Sequence, residues 1–278
     1  MKFIDNAAGF KAILGMMCFV LINSSVTHAK NPAAPMKPEF YYLQVTALDC
    51  QVTCSLNGFP VYEINAEGEL SNQIPVNLYL IGKKNELKIR IKPNTDGPGK
   101  VEASTYLYGA SEIVSTDDAQ GDREKFIVES MDGSKEATFY FDNDKFDFSA
   151  VISEGPVIDQ ESELKAYAAE LLTILKKKDI KTLLSEMDPK VRDYAISFSA
   201  AEETLINSLK GQLTEILSHN KLKKPSIDDI IYVPYCGGRL WGLKIKPDLP
   251  FVYISEDDTV ISLEIYVGTA NGVLKIVR

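Results

Sequence analysis

"DCQVTCSLNGFPVYE", residues 49–63, decides how the first half of the chain folds. Asn57 and Gly58 separate two short runs that alternate between apolar and polar residues. Asn-Gly is the strongest short-range signal for a β-hairpin, because both central residues of a type I′ turn need a positive φ. The stretch therefore predicts an antiparallel hairpin, and its two cysteines, Cys50 and Cys54, need a separate explanation.

Alternation between apolar and polar residues extends on both sides of this hairpin. "NELKIRIKP", residues 85–93, places its aliphatic residues on one face and its basic residues on the other, which is the period of a half-buried strand. Similar runs, separated by Gly, Pro, Asn and Asp, recur throughout residues 40–152. Many short strands with turn residues between them predict an all-β antiparallel sandwich over this range.

The first half also resembles a known family of sandwiches. "SLNGFPV" followed by "LIGKKNELKIRI" is similar to the hairpin and strand of galactose-binding-like β-sandwich domains attached to secreted glycosidases. The resemblance implies that Asn57, Gly58, Gly82 and Asn85 form turns and do not contact a ligand. Such families often bind sugars with exposed aromatic side chains, whereas the only tryptophan, Trp241, lies in the other half of the chain. The resemblance therefore permits carbohydrate binding without indicating it.

The two cysteines of the hairpin are four positions apart. On a straight strand the Cα atoms of Cys50 and Cys54 would be about 13 Å apart, whereas a disulfide needs about 7 Å or less. A bend at residues 49–53 would close this gap, so we expect a Cys50–Cys54 disulfide, with pairings to Cys236 as the alternatives. The spacing is not that of a redox Cys-x-x-Cys motif, and His219 is far away in sequence. We therefore expect no metal and no cofactor.

The N-terminus has the pattern of a signal peptide. Lys2 and Lys11 precede an apolar run at residues 12–22, which is shorter than the roughly 20 residues of a membrane-spanning helix. We expect cleavage after Ala29, so that residues 1–29 are removed and residues 30–39 form a flexible leader. No second long apolar run follows. The sequence thus predicts a periplasmic or secreted bacterial protein with no membrane span after removal of the signal.

The charge of the chain restricts its partners. The formal net charge is −9, and an acidic surface repels phosphate backbones and anionic membrane surfaces. We therefore expect no nucleic-acid partner. Carboxylates cluster at residues 117–124 and 142–147, but neither cluster has the spacing of an EF-hand calcium loop. Both are interpreted as solvated loops.

The second half changes from strand to helix patterning. Residues 153–160 are interpreted as a linker, after which apolar residues recur at helical spacing, with Asp179 as an expected N-cap and Ser199 as the start of a capping box. Apolar alternation with turn residues follows to the end of the chain. This order predicts a second domain over residues 161–278, an α+β domain with helices packed on a curved antiparallel sheet.

This second half resembles the nuclear transport factor 2-like superfamily. The order of helices and strands, and the ending "ISLEIYVGTANGVLKIVR", residues 261–278, are similar to that superfamily, in which helices and a curved sheet enclose a cone-shaped pocket. The resemblance implies a possible homodimer through the sheet. It leaves the function open, because such folds contain enzymes, binding modules and assembly domains.

Catalytic members of that superfamily place an Asp or Glu, often with His and Tyr, inside the cone. Here the only histidine after the expected signal peptide is His219, in a polar tail, and we assign no catalytic residue. Tyr232, Tyr235, Tyr253 and Tyr266 could line a pocket, although aromatic residues of a sheet more often belong to its core.

"YCGGRLWG", residues 235–242, is the most unusual stretch of this half. Its glycines allow close approach of the backbone, its arginine offers a planar anion-binding group, and its tryptophan offers a stacking face. The candidate ligand-binding residues are Tyr235, Arg239, Trp241 and Tyr253. The alternative interpretation is a Gly-Gly hairpin with one aromatic strand.

Three functions are compatible with these observations. The leading hypothesis is a non-enzymatic periplasmic binding or protein-interaction protein, including an inhibitor or immunity-type partner of an envelope-acting enzyme. The second is a carbohydrate-binding accessory protein, and the third is a small-molecule enzyme that uses a pocket in residues 161–278. The expected partner is accordingly a protein, a small molecule or a glycan.

Overall fold

A computed structural model describes residues 39–94, 97–109, 124–219, 222, 225–246, 249–256 and 259–278. Of residues 253–256 and 259–261 only the backbone is described. The expected signal peptide and the leader up to residue 38 lie outside the described residues, as does most of the carboxylate cluster at residues 117–124. Among the described residues, no helix combines the length and the apolar character needed to cross a membrane.

The first half forms two four-stranded antiparallel sheets. Their strands are β1 Glu39–Leu48, β2 Cys50–Leu56, β3 Phe59–Asn65, β4 Glu69–Pro75, β5 Asn85–Pro93, β6 Gly99–Gly109, β7 Glu124–Ser130 and β8 Lys135–Phe141. One sheet has the order β4-β1-β6-β7 and the other β3-β2-β5-β8. Alternate residues of both sheets, such as Leu43, Val52 and Ile89, are buried in one core. The structure thus confirms that the first half is rich in β-strands and that its sheets are antiparallel, as predicted.

The β2–β3 hairpin has the turn that its sequence predicts. Asn57 has a φ of 53° and Gly58 a φ of 80°, so both central residues are left-handed. The Asn57 side chain donates a hydrogen bond to the carbonyl oxygen of Tyr79 (2.6 Å) and accepts one from the amide of Glu86 (2.8 Å). The turn is therefore held to the adjacent loop and strand by its own asparagine.

The expected disulfide is wrong. Cys50 and Cys54 both lie in β2, and the register from Cys50 opposite Pro93 to Leu56 opposite Leu87 is continuous. The chain does bend, at Asp49 with a φ of 49°, but this bend precedes Cys50 and leaves both cysteines on one extended strand. An extended strand keeps residues four apart too far from each other for a disulfide. The described cysteines are all free and buried.

The helices follow the sandwich. They are α1 Ser149–Ile152, α2 Glu161–Lys177, α3 Ile180–Glu186, α4 Asp188–Phe198 and α5 Glu202–Ser218. Asp179 caps α3 as predicted, because its carboxylate accepts a hydrogen bond from the amide of Thr182 (3.1 Å). The predicted capping box is wrong, since Ser199 has a φ of 49° and ends α4, while Ala201 precedes α5.

The remaining strands form a sheet that lies between two cores. Its strands are β9 Ile230–Tyr235, β10 Leu240–Ile245, β11 Leu249–Pro250, β14 Ile265–Ala270 and β15 Val273–Ile276, while β12 Val252–Glu256 and β13 Thr259–Leu263 pair only with each other. Ile265 and Val267 pack in the helical core, whereas Leu240 and Val277 pack in the sandwich core. The sheet therefore has helices on one face, as predicted, and the sandwich on the other.

Polar contacts also join the sandwich to the second half. Asn77 is buried, accepts a hydrogen bond from the amide of Tyr41 (2.7 Å) and donates one to the carbonyl oxygen of Ser197 (2.8 Å). The buried guanidinium of Arg278 donates to the carbonyl oxygen of Leu78 (3.1 Å). Buried polar groups need partners of this kind to be stable, so these contacts fix how the two halves pack.

Candidate functional site

Residues 235–242 connect three parts of the fold. The amide of Cys236 donates a hydrogen bond to the carbonyl oxygen of Gly58 (3.2 Å), and a Cβ at Gly58 would lie 3.1 Å from the Cα of Cys236. The carbonyl oxygen of Gly238 accepts from the amide of Ile158 and from the indole of Trp241, each at 2.9 Å. The glycines of this stretch thus allow the backbone to approach the Asn-Gly hairpin and the segment before α2.

The structure describes the side chains of three of the four predicted ligand-binding residues and places them in different surroundings. Tyr235 packs against the rings of Phe59 (5.6 Å between centroids) and Tyr266 (5.7 Å), so it belongs to the contact between sheet and sandwich. Arg239 donates to the carbonyl oxygen of Cys236 (3.2 Å) within its own turn. The side chain of Tyr253 lies outside the described residues. Trp241 lines a pocket between the helices and the sheet.

This pocket has a volume of about 530 Å³, which is in the range of small-molecule sites. It lies between the start of α2, the turn at residues 227–229, and the β9–β10 hairpin. The residues that line it are Glu161, Lys165, Ile227, Asp228, Ile230, Ile231, Tyr232, Trp241 and Lys246. We call it the Trp241 pocket.

The strand register places the aromatic residues of the pocket on one face of the sheet. Trp241 is opposite Pro234, and Leu243 is opposite Tyr232, so alternate positions of β9 and β10 point toward the helices. Trp241 is half-buried, and its indole N–H is already bonded to Gly238. The ring is therefore held in a fixed position beside Tyr232.

Charged side chains form the rim of the Trp241 pocket. The ammonium of Lys165 is 2.8 Å from the carboxylate of Glu161, one helical turn away, and both side chains are largely exposed. The ammonium of Lys246 donates to the backbone carbonyl oxygen of Asp228 (3.3 Å). The lining thus contains two carboxylates and two ammonium groups, which leaves no net formal charge.

One polar atom at the pocket has no partner. The hydroxyl of Tyr232 is buried and forms no hydrogen bond with any described residue. Burial raises the pKa of Tyr232, while Lys165 lowers it and Glu161 raises it, so the hydroxyl lies within electrostatic reach of the Glu161–Lys165 pair. Buried polar groups are nearly always paired in native proteins, so this hydroxyl lacks a partner that a ligand or a water molecule could supply once neighbouring side chains move.

A second group of ionisable residues lies between the helices and the sandwich. Burial lowers the pKa of Lys190 to about 8, with Glu264 raising it and Arg278 lowering it further. Burial also raises the pKa of Tyr266, whose hydroxyl donates to the carboxylate of Glu264 (3.1 Å). Arg278 forms an ion pair with Asp193. None of these residues lines the Trp241 pocket.

The other sequence candidates lie away from the pocket. His219 directly follows α5. Asp142 and Asp147 accept backbone hydrogen bonds from Lys84 (2.7 Å) and Ser149 (2.9 Å), so these carboxylates stabilise turns. No cluster of three or more histidine, cysteine or carboxylate side chains in the described ranges is placed to hold a metal.

The sequence named the aromatic residues of the pocket but not its charged ones. Tyr232 and Trp241 stand out as aromatic residues of alternating strands. Glu161 and Lys165 have the spacing of an ordinary helical ion pair, and nothing in the sequence brings them next to Asp228 or Lys246. Only the packing of α2 against the β9–β10 hairpin does so.

A scan against protein-family models, a search of curated proteins and a search of solved structures each gave no match for this chain. The two family resemblances of the sequence therefore stay predictions. The fold is a mixed α+β arrangement with antiparallel sheets, and the Trp241 pocket is its best candidate for a functional site.

Proposed function

We propose that the protein is a non-catalytic binding protein of the bacterial envelope and that its ligand occupies the Trp241 pocket. One observation carries the proposal: one pocket of small-molecule size is lined by a tryptophan whose indole N–H is bonded within the protein and by a tyrosine whose buried hydroxyl has no partner among the described residues. Small-ligand sites place polar groups beside an apolar surface, and this pocket combines a tryptophan with four charged side chains. The envelope location is supported by the signal-peptide pattern of residues 1–29.

The enzyme hypothesis receives less support. It predicted a buried carboxylate that faces tyrosines inside a cone formed by helices and sheet. The nearest pair, the half-buried Glu264 and Tyr266, is linked electrostatically to Lys190 and to Tyr79, and Tyr266 packs against Phe59 of the sandwich. On the helical face, the sheet packs in one core with leucine and isoleucine side chains of α2 and α5. The carboxylate–tyrosine pair thus contacts the sandwich, and aliphatic side chains occupy the space between sheet and helices.

Native mass spectrometry tests the proposal. The purified protein is mixed with the small-molecule fraction of a periplasmic extract, and the mass of the intact complex is recorded. We expect one bound compound at a stoichiometry of one, lost in Trp241→Ala and retained in Tyr140→Ala, which removes an exposed aromatic residue of β8. Binding that survives in Trp241→Ala would contradict the assigned site.

The protein-interaction form of the hypothesis, including an inhibitor or immunity-type role, stays a prediction. A pull-down with the same two variants separates it from the pocket proposal. Capture of a stoichiometric protein by wild type and Trp241→Ala alike, without any bound small molecule, would favour the interaction role.

A further inference from the structure

We infer that the ligand of the Trp241 pocket is a neutral, polyhydroxylated ring, that is, a saccharide that stacks on Trp241. The inference rests on the proposed function and adds the chemical class of the ligand. It follows from three properties of the pocket: the charge balance of its rim, the combination of an aromatic wall with polar edges, and the free hydroxyl of Tyr232.

The charge balance disfavours an ionic ligand. Glu161 is paired with Lys165, and Lys246 donates to the backbone carbonyl oxygen of Asp228, so both ammonium groups of the lining have partners within the protein and the lining carries no net formal charge. A phosphate or carboxylate ligand would be recognised by converging cations without nearby carboxylates, and a cationic ligand by the reverse. A neutral ligand avoids both conflicts.

The polarity of the pocket fits the surface of a sugar ring. A pyranose has C–H faces that pack on an aromatic ring and hydroxyl edges that act as donors and acceptors. Trp241 and Ile230 provide the apolar wall, and the side chains of Glu161, Asp228 and Lys246 provide acceptors and donors around it. An entirely apolar ligand would desolvate these charged groups without offering them hydrogen bonds.

The Tyr232 hydroxyl provides the third contact. It can both donate and accept a hydrogen bond, which suits a sugar hydroxyl. The Glu161–Lys165 pair beside it is exposed, and exposed pairs are weak, so these side chains can move aside when a ligand enters. We therefore place one ring hydroxyl of the ligand at Tyr232.

The proposed saccharide site differs from the one that the sandwich resemblance would suggest. In the sandwich, Asn57 and Asn85 use their side chains to hold the loop around Gly82, through hydrogen bonds to Tyr79, Ile81 and each other. These amide groups are therefore already hydrogen-bonded within the sandwich. The single tryptophan, and with it the stacking surface, lies in the second half.

Because Trp241 is the only tryptophan in the chain, its fluorescence reports directly on the pocket. The test titrates the purified protein with neutral disaccharides of glucose, galactose and N-acetylglucosamine. Glucuronic acid and inorganic phosphate serve as anionic comparison compounds, and cyclohexane, which does not fluoresce, serves as the apolar one. We expect a saturable change in emission with at least one neutral saccharide, and an affinity that changes by less than about twofold between about 0.05 M and about 0.5 M salt, because a neutral ligand is not screened.

Variants locate the binding. Calorimetry should show at least about a tenfold loss of affinity in Trp241→Ala and a smaller loss in Tyr232→Phe, which removes one hydroxyl only. Trp241→Phe keeps a stacking ring and guards against a folding defect, and Tyr140→Ala should bind like wild type. Each variant is checked for its native circular dichroism spectrum.

The outcomes separate the two proposals. If only an ionic or apolar compound changes the Trp241 emission, the saccharide inference is overturned and the proposed binding function stands. If no compound of any class binds, and the extract of the preceding section also leaves the protein without a bound compound, both are overturned.

Discussion

At the scale of single residues, buried polar side chains fix this fold in three dimensions. Asn85 is fully buried, and its amide group accepts from the amide of Ile81 (2.8 Å) and donates to the carbonyl oxygens of Gly82 (3.0 Å) and Phe141 (3.3 Å). The sequence resemblance implied that Asn57, Gly82 and Asn85 form turns, and their contacts agree with that role.

The sequence could not predict Lys190 as a buried residue, because a lysine between Pro189 and Val191 in an amphipathic helix is ordinarily exposed.

Lys190 gives the protein a pH dependence with a definite sign. Its pKa is about 8 in the folded protein and 10.5 when unperturbed, so between these values the unfolded chain binds a proton that the folded chain does not. The contribution of Lys190 to the free energy of unfolding should therefore rise as the pH increases from about 8 to about 10, and it is read as the difference between wild type and a variant without this lysine. Urea denaturation of wild type and Lys190→Met at several pH values measures this.

The groups that act on Lys190 are Glu264, which raises its pKa, and Arg278, which lowers it, while its ammonium lies 5.9 Å from the ring centroid of Tyr194. Ionisation of the buried thiols, which lowers stability over the same range, and of the tyrosines occurs in both proteins and cancels in the difference between wild type and variant. Wild type should gain stability relative to Lys190→Met over this range, and should show no such gain relative to Lys92→Met, which removes an exposed lysine of β5. An unchanged pH profile in Lys190→Met would show that this lysine is not responsible.

At the scale of elements, the sequence predicted strands in the first half and helices followed by strands in the second, because the periodicity of apolar residues is clear in both. Strand β5 and helix α2 follow their patterns closely. The predicted Cys50–Cys54 disulfide was wrong because a sequence gives the number of residues between two cysteines but not the position of a bend. The bend at Asp49 precedes Cys50, so both cysteines lie on one extended strand.

The extended conformation of β2 predicts that both of its cysteines are free thiols. When the protein is denatured without reductant in the presence of an alkylating reagent, Cys50 and Cys54 should both be labelled, even after export to an oxidising compartment. In the folded protein both should react slowly, because they are buried and burial raises their thiol pKa values. Recovery of a peptide with Cys50 linked to Cys54 would contradict the extended strand.

The tip of the β2–β3 hairpin predicts a second effect. Gly58→Ala places a Cβ at a φ of 80° and within 3.1 Å of Cys236, whereas Gly133→Ala meets a φ of 65° with no atom within 4 Å. Both variants carry the strain of a left-handed alanine, about 1 to 2 kcal/mol, and Gly58→Ala should lose at least about 1 kcal/mol more because the backbone of residue 236 must move. Equal losses, measured by urea denaturation, would mean that hairpin and sheet do not touch.

At the scale of the whole molecule, the sheet of the second half is covered on both faces. Sequence alternation predicted helices on one face but could not reveal that the sandwich covers the other, since Leu240, Tyr266 and Val277 are as compatible with a dimer interface as with an intramolecular one. The pocket has the same limitation, because residues from α2, the 227–229 turn and β10 converge only in the assembled fold. The sequence pattern predicts the elements and their buried faces, whereas the packing of these elements determines where the pocket lies.

The contact between the halves predicts cooperative unfolding. Arg278→Met removes a buried cation that is paired with Asp193 and bonded to the carbonyl oxygen of Leu78, so it should destabilise the protein by about 3 kcal/mol. Arg90→Met breaks an exposed pair with Glu136 and should lose less than about 1 kcal/mol. In wild type, Trp241 fluorescence and far-ultraviolet circular dichroism should follow one urea transition. Two separate transitions would mean that the halves unfold independently.

The central claim is that a small molecule occupies the Trp241 pocket, and the indole N–H of Trp241 tests it most directly. Since the chain has one tryptophan, a ¹H–¹⁵N spectrum contains a single indole signal. We predict that this signal shifts and saturates when the small-molecule fraction of a periplasmic extract is added, and that the protein fraction does not reproduce the shift. An indole signal that stays in place while signals elsewhere move would contradict the assigned pocket.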